Sequence, residues 1–144
     1  HDISIFDNRD QAGQGKKDKK QSLFDVLDIV AKHDAYKQER VLVVDDESFC
    51  LTASKQVLKS LGFNDDFQVD CCISGEDAIK DIRQAYQRGY RYRLIMMDFN
   101  MDGMNGMKAT SLIRELFVEE FRLVREEQPK IVGVTGHVLD KFAQ

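Results

Sequence analysis

From residue 41 onward the apolar positions follow two alternating periods. Val41-Leu42-Val43-Val44, Tyr92 to Met97 and Ile131-Val132-Gly133-Val134 are short, nearly unbroken apolar runs, and Phe67 to Cys71 is a fourth, more mixed one. Runs of this length, bounded by polar residues, read as strands buried on both faces. Between them the apolar residues recur every three or four positions, the period of a helix with one face on a core. Cys50, Ser54, Val57, Leu58 and Leu61 make one such stripe, which Gly62 ends. Ala78, Ile79, Ile82 and Tyr86 make a second, opened by the capping sequence Ser74-Gly75-Glu76-Asp77 and stopped at Gly89. Ile113, Leu116, Phe117 and Val124 face inward on a third helix, expected to run unbroken from Met107 to about Glu127, with Pro129 as its stop. Val138, Leu139 and Phe142 begin another. Strands alternating with helices require parallel pairing and right-handed crossovers, so the expected class is α/β with a doubly wound parallel sheet.

The candidate chemistry lies where the strands end. The first run ends in Asp45-Asp46, the third in Asp98 and the last in Thr135. Ligands of a parallel sheet bind outside the carboxyl ends of its strands, so two neighbouring strands ending this way bring three carboxylates to one edge. An acid after a strand also serves as the cap of the next helix, and an Asp-Asp pair alone fits that role. The stretch Asp98-Phe99-Asn100-Met101-Asp102-Gly103-Met104-Asn105-Gly106 is too long and too polar for a plain cap. Two acids, one acid and one hydroxyl, in chain order at three strand ends, exceed what capping explains. Carboxylates this close repel one another, and a divalent cation relieves the repulsion. Ligation by oxygen alone suits Mg²⁺, or Mn²⁺ as the alternative, better than zinc or copper. A hard-metal carboxylate site, and hence phosphate chemistry, is expected.

These residues resemble the response-regulator receiver domain, the phosphoacceptor module of two-component signalling. Val41 to Glu47 resembles its first strand and acidic pair, Asp98 to Gly106 its phosphoacceptor and following loop, and Thr135-Gly136 its switch hydroxyl and small neighbour. The resemblance implies a flavodoxin-like strand order 2-1-3-4-5. It implies Asp98 as the phosphoacceptor and Thr135 as the switch hydroxyl. It also implies Mg²⁺ held by Asp46, Asp98 and the backbone carbonyl of Asn100, with Asp45 acting through water. The implied donor is a phosphohistidine on a histidine kinase or histidine phosphotransfer protein, and the implied output is a conformational relay rather than turnover as an enzyme. The parent protein is expected to be a hybrid histidine kinase or phosphorelay regulator. Two departures stand out. Asp102 occupies the position where the family usually has proline. Only nine residues follow Thr135, and Lys141 comes too early for the family's lysine after a fifth strand. A receiver unit over residues 40–144 without the fifth strand and last helix is therefore expected.

Two other functions compete. An aspartyl-nucleophile phosphatase of the haloacid-dehalogenase type needs a second acid two residues after the nucleophile, where Asn100 stands. A pseudo-receiver that only mediates contacts is opposed by Asp46, Asp98 and Thr135 all being present.

The first forty residues differ, with eight basic and eight acidic side chains. Residues 8–21 lack any large apolar side chain, so residues 1–21 read as a flexible linker. Ser22 with Asp25 reads as a helix cap, and Leu23, Phe24, Leu27, Val30 and Ala31 fall on one stripe, so residues 22–39 read as an amphipathic helix or connector. That helix is expected to cover part of the sheet face left open by the absent elements, in its own molecule or in a neighbouring one, the alternative being that it packs on another domain. The net charge of −4 opposes nonspecific nucleic-acid binding. No run reaches the roughly 20 apolar residues of a membrane span. Cys50, Cys71 and Cys72 lack metal-ligand spacing, and with no signal-peptide pattern a reducing cytoplasmic location is expected.

Overall fold

The computed structural model describes residues 22, 23, 25–27, 40–64 and 68–134. Four parallel strands carry the fold: β1 (Arg40–Val44), β2 (Val69–Cys72), β3 (Tyr92–Asp98) and β4 (Lys130–Val134), in the order β2-β1-β3-β4. The crossovers are made by helices α1 (Ser48–Ser60), α2 (Gly75–Gln87) and α3 (Gly106–Glu119). This is the doubly wound, flavodoxin-like arrangement of the first four strands.

Alternation along the strands separates two cores. Val41, Val43, Leu94, Met96, Val132 and Val134 point to one face, where Cys50, Ala53 and Leu58 of α1 meet them. Leu42, Val44, Ile95, Met97 and Ile131 point to the other, against Ala78, Ile82 and Tyr86 of α2 and Ala109, Ile113 and Phe117 of α3. Both faces are filled, which is why the strands read as nearly continuous apolar runs. Gly62 at φ 98° and Gly89 at φ 86° follow α1 and α2 in the left-handed region that releases a chain from a helix.

The described residues near the N-terminus belong to the α1 side. Ser22 Oγ accepts the Asp25 N–H at 3.1 Å, and Leu23, Val26 and Leu27 join the cluster that contains Val132 and Val134. Each of the three is at most 1 % exposed. Phe24, Val30, Ala31, Phe67 and residues 135–144, including Thr135, Val138, Leu139 and Phe142, lie outside the described residues.

The third helix is shorter than its sequence suggested. It ends at Glu119, and the chain turns through Arg122 at φ 53° into a short 3-10 turn at Arg125–Glu127. Val124 is 56 % exposed rather than inward-facing. The turn is held by the Leu123 N–H on the Phe117 carbonyl at 2.9 Å, and Gln128 donates to the Leu123 carbonyl at 3.1 Å. Arg114 reaches across to Gln128 Oε1 at 2.9 Å and the Pro129 carbonyl at 3.0 Å. Apolar periodicity marks which residues meet a core, but Phe121 and Leu123 reach theirs from a reversed chain rather than from another helical turn.

Candidate functional site

Strand register assembles the site. Val44 pairs with Met97, so Asp45 and Asp98, one residue further on, end adjacent strands side by side. Asp45 extends the pairing on its other side, its N–H donating to the Cys72 carbonyl at 3.1 Å. A carboxylate oxygen from each of Asp45, Asp46 and Asp98 lies within 4.8 Å of the other two. Asp45 and Asp98 are buried, at 5 % and 7 % exposure, while Asp46 is exposed at the rim.

Each buried acid is aimed by a turn of its own making. Asp45 Oδ1 accepts the Glu47 N–H at 2.9 Å, and Asp98 Oδ1 accepts the Asn100 N–H at 3.0 Å. Such local bonds from an aspartate to the backbone two residues on stabilise a turn and fix the side-chain direction. They favour the charged form, but burial wins. The Asp45 carboxyl is pushed up to about 6 by its burial and by the nearby Asp98 and Asp46 charges. Asp98 is raised in the same direction, first by burial and then by the Asp46 charge. Buried anions held together at an energetic cost are the donor set a hard divalent cation satisfies, and three oxygens leave room for the waters Mg²⁺ retains. The residues therefore fit the ion.

The predicted residues divide plainly. Asp45, Asp46 and Asp98 come together, Asn100 adjoins them through its N–H, and Thr135 lies outside the described residues. Two contacts were not foreseen. The Asp102 N–H donates to Asp46 Oδ2 at 3.1 Å. Proline has no N–H, so the departure noted at this position supplies the donor. Past the loop, Asn105 Oδ1 accepts the Lys108 N–H at 2.9 Å and starts α3.

The family described as the response regulator receiver domain matches residues 41–144. Two-component response regulator 24 of Arabidopsis thaliana is 35 % identical over 94 residues, 65 % of this chain and 55 % of that protein. The chain thus spans about half the length of that relative. Hybrid signal transduction histidine kinase C of Dictyostelium discoideum is 28 % identical over 99 residues, 69 % of this chain and 7 % of the kinase. Among solved structures, the receiver domain of the histidine kinase CKI1 from Arabidopsis thaliana, complexed with Mg²⁺ and BeF₃⁻, superposes with a TM-score of 0.56 at 32 % identity. That match covers 69 % of this chain and 66 % of that one. The chain belongs to the response regulator receiver domain family.

Proposed function

We propose that this receiver-family chain accepts a phosphoryl group on Asp98 from a phosphohistidine of a partner protein and passes the event on as a change of surface. The observation that carries this reading is the gathering of Asp45, Asp46 and Asp98 within 4.8 Å at the carboxyl edge of the sheet.

One oxygen of the Asp98 carboxylate attacks phosphorus. The phosphorus–nitrogen bond of the phosphohistidine breaks, its electron pair returns to the imidazole, and an acyl phosphate forms on Asp98. A carboxylate is a weak nucleophile and repels the phosphoryl oxygens, so the surroundings must correct both faults. Mg²⁺, held when bound by Asp46, Asp98 and the Asn100 carbonyl with Asp45 behind, supplies charge neutralisation and orients the phosphoryl oxygens. Asp98 is kept in place by the Asn100 N–H, and Asp46 by the N–H of Asp102. Thr135, next in sequence after β4, donates its hydroxyl to a phosphoryl oxygen and draws its segment inward, the local change that biases a two-state surface. Mg²⁺ bound to a solved relative supports the ion, and a hybrid kinase among the relatives supports a histidine kinase or phosphotransfer protein as donor. The free thiols of Cys71 and Cys72 support action in a reducing compartment such as the cytoplasm, and among the described residues no helix is long and apolar enough to cross a membrane.

The test is phosphoryl labelling with a small acyl-phosphate donor and Mg²⁺. Wild type should take up one acid-stable, base-labile group, Asp98→Ala should take up none, and Asp102→Ala should label. Label surviving in Asp98→Ala would point to another acceptor. A wild type that cannot be labelled by donor or partner would leave a module that only mediates contacts.

A further inference from the structure

Phe99, directly after the proposed acceptor, is seated against two glycines from different elements. A Cβ built on Gly133, in β4, would overlap ring atoms Cε2 and Cζ of Phe99 and lie 2.8 Å from Cε1. Real side chains never approach so closely, so the ring occupies the space that any side chain at 133 would need. A Cβ built on Gly106, the first residue of α3, would overlap the Asp98 carbonyl oxygen and lie 2.8 Å from both Cα and Cδ1 of Phe99. The Gly106 N–H also points to the Phe99 carbonyl, at 3.4 Å.

The register explains why this matters. Asp98 pairs with Val134 and Met97 with Gly133, so Phe99 is the first residue beyond the paired strand, and its ring turns back across β4. Asp98 is the last residue of β3, so the turn that follows lies outside the strand. The Asn100 N–H ties that turn only to Asp98 itself. The ring against Gly133 and the α3 start against residues 98 and 99 tie the turn to the rest of the fold. An aspartate has two side-chain torsions, so where its carboxylate lies follows closely from its backbone.

We propose that Phe99 is a positioning residue for Asp98: its ring, lodged in the notch at Gly133, holds the 98–100 turn so that the Asp98 carboxylate stays in reach of Asp45 and Asp46. This rests on the phosphoacceptor reading above. Phe99 acts through the backbone it shares with Asp98.

Gly133→Ala evicts the ring without altering an acidic residue, and alanine suits a strand at least as well as glycine. Phe99→Ala removes the ring itself. Four proteins, wild type, both single variants and Gly133→Ala/Phe99→Ala, should be titrated with Mg²⁺ alone by backbone amide NMR and labelled with the acyl-phosphate donor, with a melting curve for each. Each single change is expected to weaken Mg²⁺ binding and slow labelling roughly tenfold or more, as misplacement of a reacting group does. The double variant should lose no more than the worse single, because both changes break one contact. Gly133→Ala should show these losses with its melting temperature close to wild type, which separates positioning from plain destabilisation. Folded single variants that titrate and label like wild type overturn the proposal, as do losses that add in the double variant. A wild type that neither binds Mg²⁺ nor takes label defeats the phosphoacceptor reading and this proposal together.

Discussion

At the scale of single residues, the site is a balance between buried charge and the few donors that compensate it. Asp46 is the exposed member of the triad, and its Oδ2 accepts the Asp102 N–H. Asp102→Ala keeps that N–H, whereas Asp102→Pro deletes it while restoring the residue the family usually carries. Mg²⁺ titration should find Asp102→Ala close to wild type and Asp46→Asn sharply weakened. Equal titration of Asp46→Asn and wild type would reduce the acidic pair to a helix cap.

Asp45 makes the balance measurable through pH. Its carboxyl titrates at about 6 in the folded chain against an ordinary value of 3.8, so the folded state holds this proton more tightly than the unfolded one. Ionising Asp45 therefore costs the folded state stability above about 6, a cost that fades as pH falls through 6 towards 3.8. Its size is on the order of 3 kcal/mol. Asp98 acts in the same direction. Asp70 acts in the other: burial would raise it, but hydrogen bonds from Arg40 and Tyr92 hold it low. Saturating Mg²⁺ isolates the site from that background, because the ion stabilises the ionised carboxylates. Denaturant midpoints at about pH 7.5 and 5 should show Mg²⁺ stabilising the chain strongly at the higher pH and little at the lower. The same Mg²⁺ increment at both would contradict the clustered-charge account.

At the scale of elements, the connection between α3 and β4 is the part whose length and shape depend most on specific polar contacts. Gln128 is 5 % exposed and joins the Leu123 carbonyl to Arg114. Replacing it by alanine removes the half-buried bond to the Leu123 carbonyl and one of the acceptors of the Arg114 guanidinium. Gln128→Ala should therefore destabilise by about 1–3 kcal/mol. The connection lies towards the amino end of β4, at the opposite end of the strand from the acids, so Mg²⁺ affinity should not change. Chemical denaturation and Mg²⁺ titration of the same sample check both halves of that expectation.

At the scale of the whole molecule, the family match starts at residue 41, yet Leu23, Val26 and Leu27 are as buried as the strands they meet. They share a cluster with Val132 and Val134 of β4 and with Cys50, Ala53 and Leu58 of α1. Truncating one buried leucine typically costs about 2–5 kcal/mol, so Leu27→Ala alone should lower the melting temperature visibly. Removing residues 1–38 should do more, exposing apolar surface and promoting association. An unchanged melting curve and association state after the deletion would assign these residues to some other surface.

The sequence alone determined the parallel α/β class, the strand ends, the helix caps at Ser22 and Ser74, and the three acids. These are local matters: apolar period, capping chemistry and the type of residue that ends a run are written in neighbouring positions. Tertiary structure decided the rest. The register between β1 and β3 set Asp45 beside Asp98, and packing against the sheet buried both and raised their affinity for protons. The break after Glu119 came from side chains that find the core only when the chain reverses. The Asp102 N–H on Asp46, and the Phe99 ring in the notch at Gly133, each join residues more than thirty positions apart. No periodicity encodes such contacts, because they exist only once the crossovers have brought separate strand ends to one edge.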